Sequence, residues 1–310
     1  MMKLNLSRKI YFLTDLHADR NAFEDSLAHC EDPTALYTIG GDCLDKGPSN
    51  LELLDAIHEA SQRLDIKILA GNHDLRMLMV LQNWSTREDK SSRFAKVYTP
   101  SRFLKRITPF LNECGDINKA REMFLEPGGK YSWFFDNMSA FHKDGEFLFV
   151  HAGVGDDFIQ ELSLMINSRE KDPFPILMNL RHRTPFNIAL HNFYYGPLGT
   201  CIRTKYREDT DIYNFTESGA AMLRDLGINF VVHGHDNQLN GHKLNMRHGI
   251  LHFCCDCTVD SGTRKAAGLT SPGYAVASFE PYGGRIEMHS AEGSSIYNPL
   301  FAEWAVEKRS

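Results

Sequence analysis

Ile10-Tyr11-Phe12-Leu13-Thr14-Asp15-Leu16-His17 is the stretch on which the fold turns. Four consecutive apolar residues, too few for a helix, read as a buried β-strand. Asp15 and His17, both with lone pairs to offer a metal, follow where the chain leaves that strand. The pattern recurs: Ala35 to Ile39 runs into Asp42, Ile66 to Ala70 into Asn72-His73, and Phe147 to Val150 into His151. Phe230 to Val232 leads through His233-Gly234 into His235. The first three ligand segments fall at 15, 42 and 72, a spacing that matches the ~30 residues of one βαβ step. Strands joined that way bring their carboxyl ends to one edge, where α/β sheets assemble shared sites.

Each piece alone is weak, because an Asp-x-His triplet or a Gly-Asn-His turn arises by chance. The ordered series is not. Two Asp, three His and one Asn carbonyl suffice to hold two divalent ions, and the chain reads first as a hydrolytic metalloenzyme. Mixed carboxylate and imidazole donors suit Mn, Fe or Zn better than Mg or Ca, which prefer oxygen shells.

Thr14-Asp15-Leu16-His17-Ala18, Gly41-Asp42-Cys43-Leu44-Asp45-Lys46-Gly47, Gly71-Asn72-His73-Asp74, His151-Ala152-Gly153 and Gly234-His235 together resemble the motifs of the calcineurin-like metallophosphoesterase superfamily, phosphoprotein phosphatase branch. Gly47 to Leu54 and Gly71 to Leu75 also look like bacterial dinucleoside-tetraphosphate hydrolases of that branch. Three residues depart from the pattern: Thr14 and Ala18 replace glycines, and Lys46 replaces an arginine. A lysine neutralises phosphate without gripping it as a planar fork.

The resemblance implies a layered α/β fold, with mixed β-sheets flanked by helices and the site at strand carboxyl ends. It implies Asp15, His17 and Asp42 on one ion, and Asp42, Asn72, His151 and His235 on the other, with Asp42 bridging. A hydroxide shared by the ions would attack phosphorus in line. His73 is the expected general acid, paired with Asp45 or Asp74; the resemblance favours Asp45. Lys46 and either Arg183 or Arg203 are the expected phosphate contacts. The implied substrate is a phosphomonoester, above all a protein phosphorylated on Ser/Thr or Tyr. The alternative is a dinucleoside polyphosphate such as diadenosine tetraphosphate, or another nucleotide. A third reading, an inactive scaffold of this fold, is disfavoured because all six ligands and the acid remain.

With 310 residues, the chain can form one large α/β domain. The span from Asn72 to His151 is about 50 residues more than one βα step needs. Residues 85–140 are therefore expected to be a helical insertion, with helices near 101–113 and 116–125 and Trp133-Phe134-Phe135 as its anchor. A helix after Pro48, capped by Ser49 or Asn50, and another over Asp74 to Leu81 are expected. Asn240-Gly241 and His248-Gly249 suggest hairpins across 239–285.

A net charge of −6 argues against nucleic acid as a main partner. No apolar run of ~20 residues suggests a membrane span, and residues 1–9 lack the apolar core of a signal peptide. Seven scattered cysteines fit a reduced, cytoplasmic protein. Cys254, Cys255 and Cys257 read as small buried hydrophobes rather than metal ligands.

Overall fold

The computed structural model describes residues 8–30, 32–83, 100–167, 196–203, 215–236, 242–269, 274–280, 286–290, 293–298 and 303–307. Three parallel strands, β1 (Ile10–Leu13), β2 (Leu36–Ile39) and β3 (Asp65–Leu69), lie side by side in the first sheet. β1 and β2 are buried at every position, which is why they read as unbroken apolar runs. A short β4 (Met138–Ser139) extends this sheet beside β3.

The second sheet contains β5 (Phe141–Asp144), β6 (Phe147–Val150), β7 (Phe230–His233), β8 (Lys243–Arg247) and β9 (Ile250–Cys254), in the order β5-β6-β7-β9-β8. β6, β7 and β9 run parallel. The first sheet is completed by β10 (Ala275–Phe279), β11 (Ile286–Ser290), β12 (Gly293–Asn298) and β13 (Glu303–Glu307), giving the order β13-β12-β11-β10-β1-β2-β3-β4.

Aromatic rings fill the space between the sheets: Phe12 stacks on Phe149, and Phe279 meets Phe147, Phe149 and Phe253. Helices flank this sandwich. α1 (Arg20–Leu27) packs on α2 (Asn50–Ser61) and on β10, and α2 packs on β3. Ser49 caps α2 by accepting from Glu52 N, and Leu53, Leu54, Ile57 and Ala60 turn inward.

α3 (Asn72–Asn83) begins on the expected ligand itself, two residues earlier than the sequence suggested. α4 (Pro100–Cys114), α5 (Ile117–Leu125) and α6 (Ser132–Asp136) follow. Together they form the connection from β3 to β4, so the long stretch is a parallel crossover. Phe110, Phe124, Tyr131, Phe134 and Phe135 are buried in the main hydrophobic cluster, while Trp133 lies against the His58 ring.

α7 (Asp156–Asn167), α8 (Thr200–Arg203) and α9 (Glu217–Asp225) lie between β6 and β7. The β8–β9 turn is His248-Gly249, both at positive φ (47° and 79°), as a type I′ hairpin requires. Hairpins do not continue to 285. Residues Ser261–Ala266 form α10, capped by the Asp260 carboxylate on Thr263 N at 2.7 Å, and β10 returns to pair antiparallel with β1 in the other sheet. Asn240-Gly241 lies outside the described residues.

Three histidines away from the ligand segments are held below their ordinary pKa by burial. His142 on β5 falls to about 3, helped by Lys67; His242 falls to about 4; His252 on β9 falls well below 6.5. A histidine depressed in the folded chain protonates first in the unfolded one. Its stability contribution is therefore complete above pH ~6.5 and drains away as pH falls toward the folded value. Each can add up to about 1.4 kcal/mol of destabilisation per pH unit within its window. Denaturant titrations are expected to show stability dropping steeply between pH 6.5 and 4, less so in His142→Gln; a flat profile would contradict this.

Candidate metal centre

β1, β2 and β3 of one sheet and β6 and β7 of the other end beside one another, and their following loops interlock. Asp15 N donates to Gly41 O (3.1 Å), His17 N to Asp42 O (2.9 Å) and Gly234 N to His151 O (2.8 Å). Side chains close the gaps: His73 N donates to Asp42 Oδ1 (2.8 Å) and His235 N to Asp15 Oδ2 (2.9 Å). Thr14, which stands where the resemblance expects glycine, donates its hydroxyl to Asp15 Oδ2 (2.7 Å).

The backbone is held in the left-handed region at Asp15 (φ 54°), His17 (45°), Ala18 (58°), Asp42 (54°), Asp45 (74°), Lys46 (74°) and His235 (71°). Each such residue costs on the order of 1–2 kcal/mol, strain that persists only where surroundings over-determine it. Ala18 takes the conformation that the missing glycine would adopt more readily.

Gly71 allows the closest approach: a Cβ there would collide with the Asp42 backbone nitrogen and Oδ1. Gly71→Ala is expected to destabilise the fold by about 2–3 kcal/mol and to weaken metal binding. Thermal melts and metal titration check this; an unchanged melt would contradict the packing account.

Two triplets of donors, His17–Asp42–His73 and Asp42–His151–His235, each bring ligand atoms within 4.8 Å of one another. Asp42 belongs to both. Its Oδ2 lies 3.9 Å from His17 Nε2, and its Oδ1 lies 3.4 Å from His151 Nε2. Asp15 Oδ1 is 3.8 Å from His17 Nε2. His235 Nδ1 faces His151 Nε2 at 3.2 Å. The second ring nitrogen of His151, Nδ1, lies 2.8 Å from Gly40 O, which would leave Nε2 to face a metal.

The same Asn72 side-chain position admits two amide orientations, with oxygen and nitrogen exchanged. In one, Oδ1 faces His151 Nε2 at 3.2 Å. In the other, its nitrogen faces His235, His151 and Asp42 while its oxygen accepts from Arg76 at 3.2 Å. Only the first presents oxygen to a cation. A cage of nitrogen and carboxylate lone pairs of this kind fits divalent transition metals. Among the described residues no cysteine joins either triplet.

Electrostatics support that fit. Burial works to raise Asp42, yet His151, His73 and His17 outweigh it and hold the carboxylate well below its usual range. Burial, with Asp42 adding, raises Asp15. Burial lowers His17 to about 3. Burial also works to lower His151, but Asp42 and Asp15 lift it to about 10. The buried carboxylates thus call for positive charge between them.

His73 Nδ1 lies 2.7 Å from Asp45 Oδ2, and His73 Nε2 lies 3.7 Å from Asp42 Oδ2. Asp74 is not the partner of His73. Its carboxylate accepts instead from the backbone N–H groups of Asp42 (2.8 Å), Leu44 (3.0 Å) and Gly71 (3.0 Å). It is an internal clamp on two ligand loops, a carboxyl that burial and then Asp42 push up to about 7.

Lys46 Nζ lies beside His17 Nε2. His233 is buried, its Nδ1 2.8 Å from Gly234 O. Arg183 and Asn237 lie outside the described residues, and of Arg203 only the backbone, ending α8, is described. The sequence reading gave Asn50 no role beyond a helix cap and passed over Arg76, beside Asn72, and Glu113, which meets Asn50 at the start of α2. Asn50 and Glu113 sit within helix patterns that explain them locally, but Arg76 sits four residues after Asn72, a spacing that could have pointed to it.

The sequence profile of the calcineurin-like phosphoesterases matches residues 8–239, three quarters of the chain and all five ligand segments. The chain belongs to the calcineurin-like phosphoesterase family. Over 87 residues it is 30% identical to the symmetrical bis(5'-nucleosyl)-tetraphosphatase of Buchnera aphidicola subsp. Schizaphis graminum, a match spanning 27% of this chain and 30% of that protein. The cold-active protein-tyrosine phosphatase of a psychrophilic Shewanella species is similar in fold, with a TM-score of 0.56 at 16% identity, covering 91% of this phosphoesterase and 77% of that chain. Among the described residues no helix is long and apolar enough to cross a membrane.

Proposed function

We propose that this phosphoesterase is a two-metal hydrolase of phosphomonoesters, with proteins phosphorylated on Ser/Thr or Tyr as its substrate class. The observation that carries the reading is the Asp45–His73 pair, 2.7 Å long, at the rim of the Asp42 cluster. A serine or tyrosine monoester expels an alkoxide or phenoxide, which needs a proton as the P–O bond breaks. Asp45 fixes His73 through Nδ1, so Nε2 is the atom that delivers the proton. Asp15, His17 and Asp42 would hold one ion, and Asp42, Asn72, His151 and His235 the other, with Mn, Fe or Zn fitting the donors. When bound, the ions supply a nucleophile from water near neutral pH and neutralise phosphoryl charge. Lys46 places an ammonium at the same rim to neutralise phosphate, with Arg183 or Arg203 as the further contact.

All seven cysteines are free and six are buried, in keeping with the reducing cytoplasm. The second reading, hydrolysis of a dinucleoside polyphosphate, is favoured by the Buchnera match. A nucleotide leaving group needs less help from an acid, so the Asp45–His73 pair ranks it second. The test compares kcat/KM for phosphoserine and phosphotyrosine peptides with that for diadenosine tetraphosphate. The proposal expects the peptides to win; faster cleavage of the tetraphosphate would replace it with the second reading.

A further inference from the structure

Glu113, one residue from the end of α4, reaches across to the start of α2. Its Oε1 accepts from Asn50 Nδ2 at 2.6 Å, and its Oε2 from Leu51 N at 3.0 Å and Ser49 Oγ at 3.3 Å. A carboxylate is disfavoured at the carboxyl end of its own helix and favoured at the amino end of another. Glu113 therefore sits where it does because of α2. Asn50 is only 2% exposed, and its second amide atom, Oδ1, accepts from Asp45 N at 2.8 Å. Since a carboxylate only accepts, the Asn50 nitrogen must face Glu113 and its oxygen must face Asp45. Asp45, held at φ 74°, then meets His73 Nδ1 with its own carboxylate at 2.7 Å.

We infer that Glu113 is a remote positioning residue for His73, acting through Asn50 and Asp45, and that the helices between β3 and β4 thereby belong to the catalytic apparatus. The inference rests on the reading of His73 as the general acid. Without Glu113, Asn50 Nδ2 and Leu51 N lose their acceptor, and the amide is free to turn over. Asp45 N then loses its own acceptor. The Lys46 N–Asp45 Oδ1 bond at 2.8 Å stays, but the amide that Asn50 anchored now yields to the ~1–2 kcal/mol pull of Asp45 back toward ordinary φ, which shifts its carboxylate from the imidazole. The ring remains but points less well, and a misplacement of this kind costs rate where a proton must be delivered.

Leaving-group dependence separates positioning from general damage. The full-length, metal-loaded protein is assayed on aryl monophosphates from 2,4-dinitrophenyl phosphate, whose leaving group needs no proton, to phenyl phosphate, whose leaving group does. Glu113→Ala is expected to lower kcat for phenyl phosphate by about 10-fold while leaving 2,4-dinitrophenyl phosphate within ~2-fold and metal content unchanged. Glu113→Gln, which keeps an acceptor for Asn50, is expected to recover most of the loss. Asn50→Ala breaks the next link and must reproduce the selective loss, so the inference stays testable if Glu113→Ala fails to fold.

Equal losses along the whole series, or none on phenyl phosphate, would overturn the relay. His73→Asn is the reference. If it is selective and the Glu113 and Asn50 variants are not, the relay alone has failed; if it is not selective either, the reading of His73 falls and the relay with it.

Discussion

Asp42→Asn is expected to remove metal binding and turnover together while sparing the fold. Asp42 lies in both donor triplets, so its carboxylate is the negative charge that both ions would share. Even a partner of a metal ligand is worth 10–100-fold in affinity, and loss of the shared ligand is expected to exceed ~100-fold. Activity should fall on the order of 10³-fold or more, because metal ions contribute several kcal/mol to the transition state. The metal-free fold should survive. Asparagine keeps an Oδ1 to accept from His73 N, as Asp42 does at 2.8 Å, and His151 can release the proton that Asp42 helps it hold. Chelator competition and melts of the metal-free protein check this. A variant that binds metal as wild type does would show that Asp42 is not the bridge.

His73→Asn separates two roles that the geometry sets side by side. His73 stands in a donor triplet with His17 and Asp42, yet its other ring nitrogen is committed to Asp45. As general acid, its removal is expected to cost about 10²–10⁴-fold in kcat on phenyl or alkyl phosphates, far less on 2,4-dinitrophenyl phosphate, and nothing in metal content. Metal analysis alongside kinetics decides. If the variant loses an ion, His73 is a ligand and the acid must be sought elsewhere.

The strands and the edge they share were legible because β1, β2, β6 and β7 are buried along their whole length. Full burial leaves an unbroken apolar run, and the polar residue that ends it marks where the chain meets the site. The His248-Gly249 turn was legible for a local reason too, since few residues tolerate two consecutive positive φ angles. What stayed hidden depends on partners far apart in the chain. Asp74 looks like a catalytic neighbour of His73, but its hydrogen bonds run to backbone groups 30 and 32 residues away, and no local pattern announces them.

β10 pairs with β1 from the far end of the chain, a choice made by the core between the sheets rather than by any turn. Asp and His enter the left-handed region more readily than most side chains, yet still only rarely, so propensity could not single out Asp15, His17 and Asp42 for it. Strain gathered at ligands is itself informative once seen, because functional sites are where folds sustain it. Glu113 shows the same limit: on α4 it is one more polar helical residue, and only the crossover carries it to α2.

The central claim is tested most directly by stripping the protein of metal, adding back Mn²⁺, Fe²⁺ or Zn²⁺, and following bound ions and p-nitrophenyl phosphate hydrolysis in the same titration. The account predicts two ions bound per chain, with turnover rising as the pair of sites fills. Full metal occupancy without hydrolysis, or hydrolysis undiminished in the stripped protein, would contradict it.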